Sequence, residues 1–296
     1  MPHGRHHGHS HDHSHAHVAS HDSSRNIAIA FLLNFGFAII ELFGGWWTQS
    51  IAIQADAIHD FGDSLVLAAA LGLQFWSSAA ARGRYTFGFK RLSLLSALGT
   101  SLVLVVGSFF ICVKAVERIF APITPELNGM LLLAVVGVLV NGFAAWKMGH
   151  GVTQNEKALS WHMIEDLLGW IAVLIGSLVM RYVNAPWIDP VLSLIISGIV
   201  ITGAMRNLWA SSELFLQAAP NIQLEHLKDE LAKVPGLKSL NDFKVWSLDG
   251  AHHVASIHAS LEGTSHPADR ERVKAEMRHV LSHHGHFDAT IEWNEA

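Results

Sequence analysis

The sequence predicts an α-helical membrane protein with six transmembrane helices, followed by a C-terminal cytoplasmic α+β domain of ferredoxin-like order αββαβ. Three observations predict it. Half of the 296 residues are hydrophobic and only 15% are charged, too apolar for an ordinary soluble chain of this length. Six apolar stretches lie between residues 26 and 208, each near the ~20 residues that cross a ~30 Å hydrocarbon core as a helix. Beyond Trp209 the composition turns to that of a soluble domain.

Residues 1–25 are His, Ser, Gly and Asp with almost nothing apolar, which predicts a disordered His-rich cytoplasmic tail. The tail lacks an apolar run before a small-residue cleavage site, so it does not read as a secretory signal. The apolar stretches follow at 26–47, 51–76, 92–117, 128–148, 158–181 and 189–208, forming a transmembrane domain over 26–208. The 77–91 loop holds Arg82, Arg84, Lys90 and Arg91, Lys147 and Lys157 flank the 149–157 loop, and Arg206 closes the sixth stretch. The opposite side has only Lys114, Arg118 and Arg181, so the positive-inside rule places both termini in the cytoplasm. Trp46, Trp47, Trp76, Trp187 and Trp209 fall near helix ends, where aromatic belts form.

In the domain at 209–296, residues 222–234 have amphipathic helical spacing and stop at Pro235-Gly236. Stretches 240–248 and 252–261 alternate like strands around an Asp249-Gly250 turn. Residues 267–284 read as a helix opened by Pro267, and 288–293 as a last strand. A small open sheet with helices on one face follows from that order.

The formal net charge is −5, which gives no reason to expect nucleic acid as a partner. A single cysteine, Cys112, excludes an internal disulfide and Cys-rich zinc modules, so any metal site must use His, Asp and Glu. Nine of the 21 histidines lie in the first 21 residues and nine between His226 and His286, leaving His59, His150 and His162. Two of these, His59 and His162, fall within apolar stretches.

His59 and Asp63 stand four apart in the second stretch, and His162 and Asp166 four apart in the fifth. On a helix such pairs project from one face. Two facing helices then offer two imidazoles and two carboxylates to one point, a set that suits tetrahedral Zn²⁺ and cancels its charge. A lone membrane histidine can simply bond a neighbour, but ionisable groups in spanning helices cost roughly 2.5–3.5 kcal/mol each on insertion scales. A repeated pair is hard to assign to packing alone. Asp56, a turn before His59, is placed to support a ligating histidine. Asn34, Glu41 and Asn141 either line a hydrated path or act as polar contacts between helices. Asp60 and Glu165 point to other faces.

The paired His-x-x-x-Asp motifs, together with SIAIQADAIHD (50–60), YTFGFKRL (85–92), WIDP (187–190) and KVWSLDG (244–250), resemble the cation diffusion facilitator family over nearly the whole chain after residue 26. That resemblance implies a homodimer with cytoplasmic tails, exporting Zn²⁺ or a related ion against protons through His59, Asp63, His162 and Asp166, in a bacterial inner membrane. It also implies a cytoplasmic metal site at His258 and Glu292. There the His that often precedes the strand's Asp is Asn241, and Ser93 replaces the Glu that often opens the third helix. The 77–90 loop contains no His, Asp, Glu or Cys, so no second-loop metal site is expected. His283, His284, His286 and Asp288 form a further group that is either chelating or merely solvated. In the tail, His9, His11, His13, His15 and His17 alternate with small or acidic residues, as a mobile metal-collecting arm would or a plain solvated tail.

Metal and proton compete for the same imidazoles and carboxylates, so metal-for-proton exchange is the expected mechanism, with no ATP-binding loop in the sequence. Zn²⁺ is the expected cargo, with Co²⁺, Ni²⁺ or Cd²⁺ as alternatives. A zinc hydrolase would want a His-Glu-x-x-His helix and an open coordination position, which are absent, so no enzyme is expected. A metal sensor or storage protein is not excluded by spacing.

Overall fold

The computed structural model describes residues 14–77, 85–148, 154–220, 222–262 and 266–294, with side chains from residue 31 onward except at 70–71, 73–77, 147–148 and 154–163. Its helices are α1 (Ser14–Thr48), α2 (Ile51–Ser77), α3 (Leu92–Phe120), α4 (Leu127–Met148), α5 (Gln154–Tyr182), α6 (Ile188–Phe215), α7 (Leu224–Ala232) and α8 (Pro267–His283). The strands are β1 (Leu237–Ser247), β2 (His252–Leu261) and β3 (His286–Trp293).

Helix α1 begins at Ser14, not at 26, so residues 14–25 of the expected disordered tail are helical here. Residues 9–35 contain neither Gly nor Pro, and nothing in them interrupts a helix that grows out of the apolar segment. For the same reason α6 runs to Phe215, with Pro220 the next breaker, and the change of composition after Trp209 falls inside a helix.

Among the described residues, four helical segments are long and apolar enough to cross a membrane: Phe31–Thr48, Leu92–Phe120, Leu127–Trp146 and Ile188–Phe215. Their large side chains are turned outward, with Leu32 and Phe43 on α1, Phe109 and Phe110 on α3, and Leu139 and Phe143 on α4 all exposed. An apolar exterior of this extent is what a bilayer covers. This is a helical integral membrane protein with a small sheet domain at its C-terminus.

The chain divides into two compact units, residues 1–72 with 108–197 and residues 73–107 with 198–296. In the first, Phe37, Ala52, Ile53, Met130, Ala134, Val173 and Met180 pack around Trp170, which is fully buried. The α1–α2 turn passes through Gln49 in the left-handed region (φ 57°). Directly after it, the first amides of α2 are capped from α6. Asp189 accepts hydrogen bonds from Ile51 N (2.8 Å), Ala52 N (3.3 Å) and Ser50 Oγ (2.5 Å). Those amides have no partner inside their own helix, and a carboxylate also suits the positive end of the helix dipole.

In the second unit the sheet runs β1-β2-β3. The β1–β2 pair is antiparallel, and β2–β3 is parallel with α8 as the crossover. Asp249 Oδ1 closes the β1–β2 turn by accepting from the backbone of Ala251 (3.0 Å) and His252 (2.7 Å). Leu227 and Leu231 of α7, and Val273, Met277 and Leu281 of α8, bury the face that carries Ala255, Ile257 and Ala259. Alternation along β2 therefore leaves His258 on the opposite face.

Candidate metal centre

Helix α2 presents His59 and Asp63 on one face because they are one turn apart, and α5 presents Asp166 to them. His59 Nδ1 lies 3.5 Å from Asp63 Oδ2, and His59 Nε2 lies 3.6 Å from Asp166 Oδ1. Asp166 is buried, while His59 and Asp63 retain partial exposure. A tetrahedral ion with bonds of ~2.0 Å holds its ligand atoms ~3.3 Å apart, so these separations are close to that spacing. The two carboxylates face different ring nitrogens, however, and a ligating imidazole gives one nitrogen to the metal. Among the described residues no group of three or more His, Cys, Asp or Glu closes into a metal-holding set. His162, one turn before Asp166 on α5, has a side chain outside the described residues.

Other intramembrane polar groups gather at the same helices. Asp56 is buried against α5, its Oδ1 3.7 Å from where a Cβ on Gly169 would stand. Glu41 of α1 and Asp60 of α2 are neighbours, both almost fully buried. Asn34 Nδ2 donates to Asp60 O (3.0 Å) and to Ser64 Oγ (3.2 Å), joining α1 to α2. Asn141 Nδ2 instead donates to Gly137 O one turn back in its own helix (3.2 Å). Glu165 is exposed. Sequence reasoning missed Asp189 as a partner of α2; an acidic residue at the start of an apolar helix was a visible signal, but its distant partner was not.

In the sheet domain His258 and Glu292 are register partners on β2 and β3, with Nδ1 to Oε2 at 3.6 Å. Asp242 is the register partner of His258 on β1, so three candidate ligands cross the open face in one row. The Lys244 ammonium, 2.7 Å from Asp242, holds that carboxyl below its usual range. The 283–288 group does not converge. His283 meets His279 edge to face (4.6 Å), His284 Nε2 meets Glu230 Oε2 (2.7 Å), and His286 stacks on His252 (5.8 Å). Asp288 is paired in register with Val254. His286 and Asp288 share one face of β3, two residues apart, while His283 and His284 at the end of α8 turn to other partners. In the tail, His9, His11 and His13 lie outside the described residues, and the side chains of His15 and His17 do as well.

Comparison with known proteins accords with this arrangement. Residues 27–216 match the cation efflux transmembrane domain family. The zinc transporter ZitB of Escherichia coli (strain K12) is 30% identical over 92% of this chain and 87% of its own length. A cadmium, cobalt and zinc/H(+)-K(+) antiporter of Bacillus subtilis (strain 168) is 28% identical over 90% of this chain and 87% of that one. The metal cation efflux system protein CzcD of Cupriavidus metallidurans is 28% identical over 90% and 84%. With residues 27–216 matched to the family and a relative 30% identical over most of both chains, the chain belongs to the cation diffusion facilitator family of metal cation efflux transporters.

Proposed function

We propose that this chain exports Zn²⁺ in exchange for protons, binding the ion through His59, Asp63, His162 and Asp166. The observation that carries the reading is the His59 ring held between Asp63 of α2 and Asp166 of α5. His162 is the fourth ligand by its spacing from Asp166, which repeats that of His59 and Asp63. In this reading α2 and α5 complete a set of six spans, their polar residues shielded by the more apolar helices. Both termini face the cytoplasm of a bacterial inner membrane, and the ferredoxin-like domain supports a homodimer.

Zn²⁺ needs a neutral imidazole and ionised carboxylates, so each proton that binds the site opposes the metal. Open to the cytoplasm at near-neutral pH, the site loads metal; open to the other side, protons displace it and return inward. Asn34, Glu41 and Asp56 supply polar groups along the approach, and the row Asp242–His258–Glu292 is the candidate cytoplasmic metal site. The names of the relatives, a zinc transporter and a metal/H⁺-K⁺ antiporter, support both cargo and exchange, and the second adds Cd²⁺ and Co²⁺ as alternative cargo.

The test is zinc-driven proton movement in sealed proteoliposomes under an imposed pH gradient. Wild type shows zinc-dependent proton flux and Asp63→Ala does not. Zinc binding without flux in the wild type would instead indicate a sensor or storage protein.

A further inference from the structure

The second unit contains a cavity of about 460 Å³ that the transport cycle described above does not use. One wall is formed by Phe87 and Lys90, from the segment that leads into α3. The other is formed by Arg278 of α8 with His252, His286 and Asp288 at the starts of β2 and β3. Lys90 and Arg278 make no ion pair and no side-chain hydrogen bond among the described residues. Two permanent cations, far apart in sequence, thus line one cavity without a partner among the described residues. Their repulsion is relieved, and their donors are used, by an anion between them.

The rest of the lining agrees with that occupant. The His252 ring is fixed by Asp249, with Nδ1 2.8 Å from Oδ2, and stacks on His286 at 5.8 Å, so two imidazoles are held at the wall. Among the described residues Asp288 is the one carboxylate lining it, against two permanent cations. The volume exceeds that of a bare oxyanion and leaves room for an organic substituent. Lys90 stands two residues before the spanning helix α3, at the level where phospholipid headgroups begin and where basic loops meet anionic lipid.

We propose that this cavity is a binding site for a phosphate group, held between Lys90 and Arg278 and bridging the entry to α3 and the sheet domain. The phosphate comes either from an anionic phospholipid headgroup or from a soluble phosphate, which offer the same oxygens to the same cations. The experiment uses the full-length protein in nanodiscs and reads the thermal unfolding midpoint of wild type, K90E/R278E and K90R/R278K. One arm compares phosphatidylglycerol with phosphatidylcholine discs. The other titrates inorganic phosphate into phosphatidylcholine discs. Wild type gains roughly 2–4 °C in one arm, which identifies the source. The gain is lost in K90E/R278E and kept in K90R/R278K. Both residues are exposed, so the charge reversal leaves the fold intact, as a monodisperse elution profile verifies. Equal midpoint changes in wild type and K90E/R278E in both arms overturn the proposal.

Discussion

His59 Nε2 on α2 stands 3.6 Å from Asp166 Oδ1 on α5. The metal reading depends on this contact between helices, and Asp166→Asn tests it by removing the charge while keeping the volume. A ligand carboxylate lost from a four-donor site lowers zinc transport by at least about tenfold. The neighbouring Glu165→Gln, on an exposed side chain, leaves transport near wild type. Zinc uptake into vesicles at several metal concentrations decides it; equal loss in both variants points to general damage to α5.

Asp189 binds the N-terminus of the helix that carries His59 and Asp63. Asp189→Ala removes the acceptor for Ser50 Oγ and for two buried amides, Ile51 N and Ala52 N. Orphaned helix-terminal donors in a dry environment cost on the order of 2 kcal/mol. The expected result is a lower thermal midpoint in detergent, with Asp189→Asn between the two because one amide oxygen still accepts. A midpoint unchanged in Asp189→Ala would show that α2 is held by its packing alone.

The reach of the sequence reading follows from which interactions are local. His59 and Asp63 share a face because a helix repeats every 3.6 residues, and that is legible in one stretch of chain. The strands around Asp249-Gly250 were legible for the same reason, since turn chemistry is local. The start of α1 was placed too late and the end of α6 too early, because hydropathy reports where the bilayer stops, whereas a helix continues until a breaker stops it. The partnership of Asp189 with Ile51 and the burial of Asp60 beside Glu41 depend on which helices become neighbours, which spacing along one helix does not encode. The separation of His283 and His284 from His286 and Asp288 has the same origin. Nearness in sequence at a helix–strand junction sends adjacent side chains to different faces.

Helix α4 crosses α5 at Gly137, where a Cβ would enter the ring of the fully buried Trp170. Gly137→Ala therefore forces the helices apart or displaces the ring, at a cost of about 1–3 kcal/mol. Gly142→Ala, five residues on in the same helix, meets only Leu167 Cδ1 at an ordinary 3.6 Å and gains helix propensity. Thermal midpoints of the two variants should move in opposite directions. A shared direction would place the α4–α5 contact elsewhere than at Trp170.

The sheet domain has a pH response with a definite sign, through His253. Burial pushes its pKa below the usual 6.5, the Asp249 charge opposes that, and His252 and His286 add to it. The fold thus favours the neutral ring, so its contribution to stability is complete above about pH 6.5 and is lost as the pH falls from there toward the depressed folded value. Asp249 acts in a lower window. Burial raises its pKa, but the backbone N–H groups of His252 and Ala251 and the His252 ring outweigh that and leave it below its usual 3.8. Its contribution is present above that value and fades only in stronger acid. Between about pH 7.5 and 5.5 the destabilisation therefore belongs to His253. Hydrogen exchange on the full-length protein, corrected for the intrinsic pH dependence of exchange, should show the opening free energy of β2 amides falling across this range. In His253→Gln, which keeps a polar partner for Ser247 Oγ but does not titrate, that fall should flatten. Equal pH sensitivity in wild type and variant would assign the response to other groups.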